Sequence, residues 1–482
     1  MPYSPATLPL PLHPIAAALL AAFCLVPAEA PAVQVVTNCN DKGPGSLRQA
    51  VHDAASGELV DATTLVCSKI TLTTGYILVG QTLLKIDGPG ADKLVIDGLN
   101  DPAGHYPIFY QPVAGQLEID HVTVSHGDFF LNSDTKYTGG GCIFSRGNVV
   151  LTGTTVSNCT MTAGPKSHAR GGAIFADGDV TLTQSLVTGN STHGAISYGH
   201  ELNTYSGGVF SRYGTIKVDH STISNNHAIN GGAIHSTVTV GVYYSTISGN
   251  DATVGGGIDC LCGLRISHST ISGNHAAYSG GLRLSPPATV QVRSTYITSS
   301  TFSGNTTSSS GSGPAMEIGV PITISYSTIA FNRGPANGSV GALYWYNGTA
   351  SANAMNLVST IVAENYPFDV DSDTAVTGGK NLVTSSPATL PGDTIKNTCP
   401  RLEPLAGNGG PTPTHALRHT SPAIDKGYML VNATTDQRGT GFPRLFGTST
   451  DIGASEWQGA LVDDDIFHGG FDFNPDATNC DL

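Results

Sequence analysis

The sequence predicts an all-β fold, a right-handed parallel β-helix of the pectin-lyase-like kind with an N-terminal capping helix. Three observations predict it. Two short words alternate along the chain, one of them returns every 24 residues through its most regular part, and only 12% of the 482 residues are charged. Sequence periods of about 20–50 residues mark solenoids and arrays. Low charge with abundant glycine, 59 residues, suits turns and stacked polar surfaces better than solvated helices.

The first word is Gly-Gly followed by small or apolar residues. It stands at Gly140-Gly141-Cys142-Ile143, Gly171-Gly172-Ala173-Ile174, Gly207-Gly208-Val209-Phe210 and Gly231-Gly232-Ala233-Ile234, and continues at Gly256-Gly257-Ile258 and Gly280-Gly281-Leu282. The second is Ser-Thr-Ile-Ser-Gly-Asn or nearly so, ending at Asn226, Asn250 and Asn274, with looser copies ending at Asn190, Asn305, Asn332 and Asn365. The Asn spacings are 36, 24, 24, 31, 27 and 33 residues. Each word is too short for a helix, and β-branched Thr, Ile and Val favour strands. Paired glycines suit corners with positive φ. A 24-residue turn is read as about three strands, stacked about 4.8 Å from the next turn, with the longer spacings read as loops. The seven Asn residues form a predicted ladder, with Ile223, Ile247, Ile271 and Phe302 stacked inside.

The boundaries follow from these words. Residues 1–32 read as a secretory signal. Ile15 to Val26 is apolar, and Ala30-Pro31-Ala32 fits a small-x-small cleavage site, although the n-region holds His13 and no Lys or Arg. The run is short for the alternative, a membrane anchor; Phe23 before Cys24 is too large for a usual lipobox. No other stretch reads as transmembrane. Residues 33–62 form the N-terminal cap, where Leu47, Ala50, Val51 and Ala54 share one helical face. Residues 63–400 carry the repeats, 401–457 a C-terminal cap and 458–482 an acidic tail. Loss of Cys24 leaves eight cysteines, and an even count in an exported chain permits disulfides. Cys39–Cys67, Cys399–Cys480 and Cys142–Cys159 are the expected pairs. Cys260 and Cys262 are read as buried free thiols, because an i, i+2 pair in a strand has poor disulfide geometry.

Lys and Arg total 22 against 36 Asp and Glu, a formal charge of −14. That balance argues against nucleic acid and anionic membrane surfaces. The expected state is a monomer, extracellular or on the outer surface of a Gram-negative cell.

The register names columns of outward side chains. Ser211, His235, Asp259 and Arg283 are read as one column, in which His235, Asp259 and Arg283 could form an acid/base pair beside an anion-binding Arg. A stacked surface salt bridge is the alternative. His220, Tyr244 and His268 form a second column, whose rings could stack on sugars; an ordinary surface ladder is the alternative. Asp369, Asp371 and Asp373 alternate as calcium ligands would, against the reading of a solvated loop; no other cofactor is expected. Asp425, Asp436, Arg438, Arg444 and Asp451 read as paired charges that pin an irregular cap. Gly-x-Ser-x-Gly, His-Glu-x-x-His and P-loop words are missing. So are the sets of words found in polygalacturonases and pectate lyases.

Two resemblances add to this reading. The alternating Gly-Gly-Ala-Ile and (Ile/Phe)-x-x-Asn words, with Phe302-Ser303-Gly304-Asn305 nearest, resemble the repeats of polymorphic outer-membrane proteins over roughly residues 120–365. That family implies a β-helix with a surface, adhesin-like role. Its members end in a membrane barrel, for which no alternating ten-residue strands are present here. Ser421-Pro422-Ala423-Ile424-Asp425-Lys426-Gly427, Asp436-Gln437-Arg438-Gly439 and Asp451-Ile452-Gly453-Ala454-Ser455-Glu456 are similar to the choice-of-anchor Q domain. That family implies a cap on an exported bacterial β-helix. The expected function is a non-enzymatic, adhesin-like or glycan-contacting surface protein. The alternative is a polysaccharide lyase or glycosidase acting through His235, Asp259 and Arg283.

Overall fold

The computed structural model describes residues 32–459, apart from 99–104, 132–138, 287–294, 347–354, 430–432 and positions 166, 195, 198–199 and 202–203. Residues 1–31 of the segment read as a signal and 460–482 of the segment read as an acidic tail lie outside the described residues.

One coil shows how the sequence builds the fold. Thr239–Tyr243 is a strand of sheet 1, Thr246–Ser248 of sheet 2, Asp251–Val254 of sheet 3 and Ile258–Cys260 of sheet 4. The next coil repeats them from Gly263, in parallel register. The coils stack into sheets of 13, 13, 7 and 11 parallel strands, a right-handed parallel β-helix. Sheet 3 is the strand that the sequence reading missed. The Asn corner at 250 and the Gly corner at 255 leave four residues between them, long enough to pair.

The inner face is aliphatic. Val240, Val242, Ile247, Ile258 and Leu264 are all fully buried, as are their neighbours above and below. The corners are tight. A Cβ on Gly232 would stand 2.2 Å from the Gly256 carbonyl oxygen of the next coil, so only glycine lets the coils close there. Asn250, Asn226 and Asn274 sit fully inside the turn between sheets 2 and 3.

At the N-terminal end, helix α1 (Leu47–Asp53) covers the first coil with Leu47, Ala50 and Val51. Ser46 caps it by accepting from the Gln49 amide at 3.2 Å. Arg48 ties the helix to Asp41 and to the Gly75 carbonyl at 2.6 and 2.8 Å.

Beyond Cys399 the chain does not continue the coil. It folds back along the outer face of sheet 2 and reads the Thr column Thr270, Thr301 and Thr328. Thr270 donates to the Pro413 carbonyl at 2.6 Å, Thr301 donates to Gln437 at 2.6 Å, and the Ala454 amide donates to Thr328 at 3.0 Å. The segment therefore covers the flank of the helix. Its charges are internal. Arg438 forks onto Asp436, and Arg444 is buried against Glu456 at 3.6 Å, with its guanidinium 4.5 Å from the centre of the Tyr326 ring.

Cys39–Cys67 and Cys142–Cys159 are disulfides. Cys399 is disulfide-bonded, and Cys480 lies outside the described residues. Cys260 and Cys262 correct the expectation of free thiols: they are bonded to each other. The pair straddles the bend at Leu261, not a straight strand, and the bend shortens the Cα separation to 5.0 Å.

Candidate functional site

His235, Asp259 and Arg283 lie in register on successive strands of sheet 4. His235 Nδ1 meets Asp259 Oδ2 at 2.9 Å, and Arg283 Nη1 stands 3.6 Å from Asp259 Oδ1. Ser211 does not belong to this column. It pairs with Ser236, and Phe210 pairs with His235, because that coil is one residue longer. The side chains point away from the core, yet His235 and Asp259 are only 5% and 1% exposed.

An aromatic stack on the same outer face explains the burial. Tyr110, Phe144, Phe175 and Phe210 stack with centroids 4.9, 5.4 and 5.6 Å apart. His235 continues the stack, parallel to Phe210 at 5.8 Å. Tyr205, from the segment entering that coil, lies over His235 at 4.9 Å, and Arg170 lies over both Tyr205 and Phe210. The trio thus closes an apolar ladder, and only Arg283 reaches solvent appreciably. An acid/base pair is present, and both of its side chains are buried.

His220, Tyr244 and His268 do stack, at 4.9 and 4.6 Å. All three are corner residues between sheets 1 and 2 with φ near 50°, a left-handed backbone unusual for such side chains. The returning C-terminal segment lies over one end, where Thr435 approaches His268 and Gly439 sits beside Tyr244. Burial drives the His268 pKa down to about 4, with nearby Arg444 acting in the same direction. His220 stays exposed.

The Asn ladder runs one way. Asn190 donates its side-chain amide to Asn226, Asn226 to Asn250, and so on through Asn274, Asn305 and Asn332 to Asn365, every link 2.9–3.0 Å. The last acceptor is Asp369, which takes the Asn365 side chain at 2.9 Å and its amide at 3.1 Å. A terminal oxygen has only to accept, which is what a carboxylate supplies. Asp369 is fully buried by this role, and the burial raises its pKa to about 6. Asp371 instead follows Tyr344 on the outer face of sheet 4. Burial, with Asp373 adding like charge, raises its pKa. The three carboxylates therefore do not converge, and among the described residues no group of three His, Cys, Asp or Glu side chains is placed to hold a metal.

Two features had no sequence motif. On sheet 1, Lys217, Gly241 and Arg265 are in register, and the Tyr243 ring folds over the buried glycine at a notch between two cations. Tyr243 walls a cavity of about 330 Å³ there. Lys217 also reaches Asp219 at 3.2 Å, and Arg265 lies 5.1 Å from the Tyr296 ring centre. A glycine between Lys217 and Arg265 was the available signal. On sheet 2, Ser303 meets His415 of the returning segment, Oγ to Nε2 at 2.8 Å. His415 Nδ1 lies 2.7 Å from the Glu403 carbonyl oxygen. Both side chains line a cavity of about 510 Å³ together with Arg333 and Glu364. Burial lowers the His415 pKa.

No family model matches the chain, and no curated protein matches it. Among solved structures it is similar to "Crystal structure of pectate lyase Pel9A", 14% identical with a TM-score of 0.44, covering 88% of this chain and 97% of that one. No helix among the described residues is long and apolar enough to cross a membrane.

Proposed function

We propose that the chain is an exported β-helix protein that contacts glycans through its outer faces, without lyase or glycosidase chemistry on the His235–Asp259–Arg283 column. The disulfides support an oxidising compartment, and the place proposed for the protein is the extracellular space or the outer surface of a Gram-negative cell. The adhesin-like surface role belongs to the same proposal.

One observation carries the glycan reading, the Gly241 notch. It joins a tyrosine ring seated on the glycine and two cations about 10 Å apart, two coil spacings. Aromatic faces pack on the apolar faces of sugar rings, and cations hold carboxylate or sulfate groups by charge-assisted hydrogen bonds. The favoured ligands are acidic glycans, which the net negative charge elsewhere would not attract.

An array of neutral, uronate-bearing and sulfated glycans tests it. The wild type is expected to bind acidic members. Gly241→Val displaces the Tyr243 ring from its seat between the cations, since even a Cβ there would meet that ring at 2.7 Å. Binding is expected to fall about tenfold, equivalent to ~1.4 kcal/mol. A folded wild type that binds no glycan would overturn the proposal.

A further inference from the structure

We propose that Ser303 and His415 form a serine–histidine dyad that hydrolyses carboxylic esters with a small acyl group. The site is separate from the sheet 1 notch and goes beyond the glycan-contact reading.

Geometry comes first. A nucleophile needs a base within hydrogen-bond reach, and the base needs a third group to orient it. Ser303 Oγ and His415 Nε2 are 2.8 Å apart. Only one partner can hold the other ring nitrogen, the Glu403 carbonyl oxygen at 2.7 Å. A carbonyl oxygen cannot donate, so Nδ1 carries the proton and Nε2 is left as the acceptor for the Ser303 hydroxyl. Burial lowers the His415 pKa, which keeps the imidazole neutral and able to take a proton.

Access comes second. Ser303 and His415 line a cavity of about 510 Å³, which suits a small acyl group and part of an alcohol. Arg333 lines the same cavity and supplies positive charge toward an oxyanion. Ser224, Ser248 and Ser272 directly precede Ser303 in its column on sheet 2, and Ala330 follows it. Ser303 is where this column meets the returning segment's histidine.

The chemistry balances within these groups. Ser303 Oγ bonds to the ester carbonyl carbon while His415 Nε2 takes the hydroxyl proton. Collapse breaks the carbon–oxygen bond to the alcohol, which leaves with that proton. Water then attacks the acyl-serine and gives a proton to Nε2. The acid departs, and Ser303 Oγ recovers the proton. A dyad oriented by a neutral carbonyl, without a carboxylate behind the histidine, suits an ester's alkoxide better than an amide's poorer leaving group.

The test uses the full chain, a fluorophosphonate probe and p-nitrophenyl acetate, with folding followed by circular dichroism. The probe is expected to label Ser303, located by peptide mass. Hydrolysis is expected to fall about 100-fold in Ser303→Ala and in His415→Asn, and to rise with pH through the depressed His415 pKa in the wild type. Ser303→Ala should fold, because Ala330 holds the same position one coil on. Ser272→Ala is the control and should hydrolyse at the wild-type rate. A structural hydrogen bond would move thermal stability and leave labelling unaltered. A folded wild type unlabelled at Ser303, or a Ser303→Ala variant with wild-type hydrolysis, would overturn the proposal.

Discussion

Asn274→Ala will destabilise the protein by about 4 kcal/mol. The Asn274 oxygen accepts from both the side chain and the main-chain amide of Asn250, at 2.9 and 3.0 Å. Its amide donates to the Ile247 carbonyl at 3.0 Å and to Asn305 at 2.9 Å. Alanine removes all four bonds and leaves their partners in a fully buried site. Each buried group stranded in this way costs about 1–3 kcal/mol, and relaxation recovers part of the sum. Ser248→Ala, on the outer face of the preceding coil, should cost less than about 0.5 kcal/mol. Urea titration of the two variants measures the difference. Equal midpoints would show that the ladder contributes nothing.

Arg444→Met will cost about 3–5 kcal/mol, because it strands the buried Gly453 and Ala454 carbonyls and removes the cation beside Glu456. Arg444 donates to the Gly453 and Ala454 carbonyls at 3.0 Å and faces Glu456 at 3.6 Å. Burial, with Asp451 adding like charge, raises the Glu456 pKa from 4.5 to about 8. Asp451 is raised to about 6, chiefly by burial. A carboxyl with a raised folded pKa binds its proton more tightly folded than unfolded. Its contribution is full below the unfolded pKa and is lost as pH rises through the folded one. The depressed His268 pKa gives the opposite slope between about pH 4 and 6.5, so melting temperature should fall from about pH 6.5 to about pH 8. Glu456→Gln should flatten the upper part of that slope. A melting temperature that rises across this window would contradict the assignment.

The parts legible in the sequence are those that repeat. Asn226, Asn250 and Asn274 stand 24 residues apart, so the columns through His235, Asp259 and Arg283 could be counted without coordinates. The count slipped at Ser211, where one extra residue in a coil moved Phe210 into the outward column. Burial of His235 was not legible, because Tyr205 covers it from an insertion with no repeat pattern. The fate of Asp369 was hidden for a related reason: alternation with Asp371 and Asp373 suggested one face, whereas the ladder draws the first carboxylate inward. Ser303 and His415 are 112 residues apart, joined by a segment that turns back along sheet 2. Periodicity fixes which coil lies above which, and is silent about where an aperiodic segment docks.

The sealed state of the His235–Asp259–Arg283 column is the claim on which the functional reading turns. Incubating uronate polymers with the wild type and with Asp259→Ala, and following the ultraviolet absorbance of unsaturated products, tests it most directly. No turnover by either protein is the expected result. Turnover by the wild type that disappears in a folded Asp259→Ala variant would contradict it, and would make the column an active site.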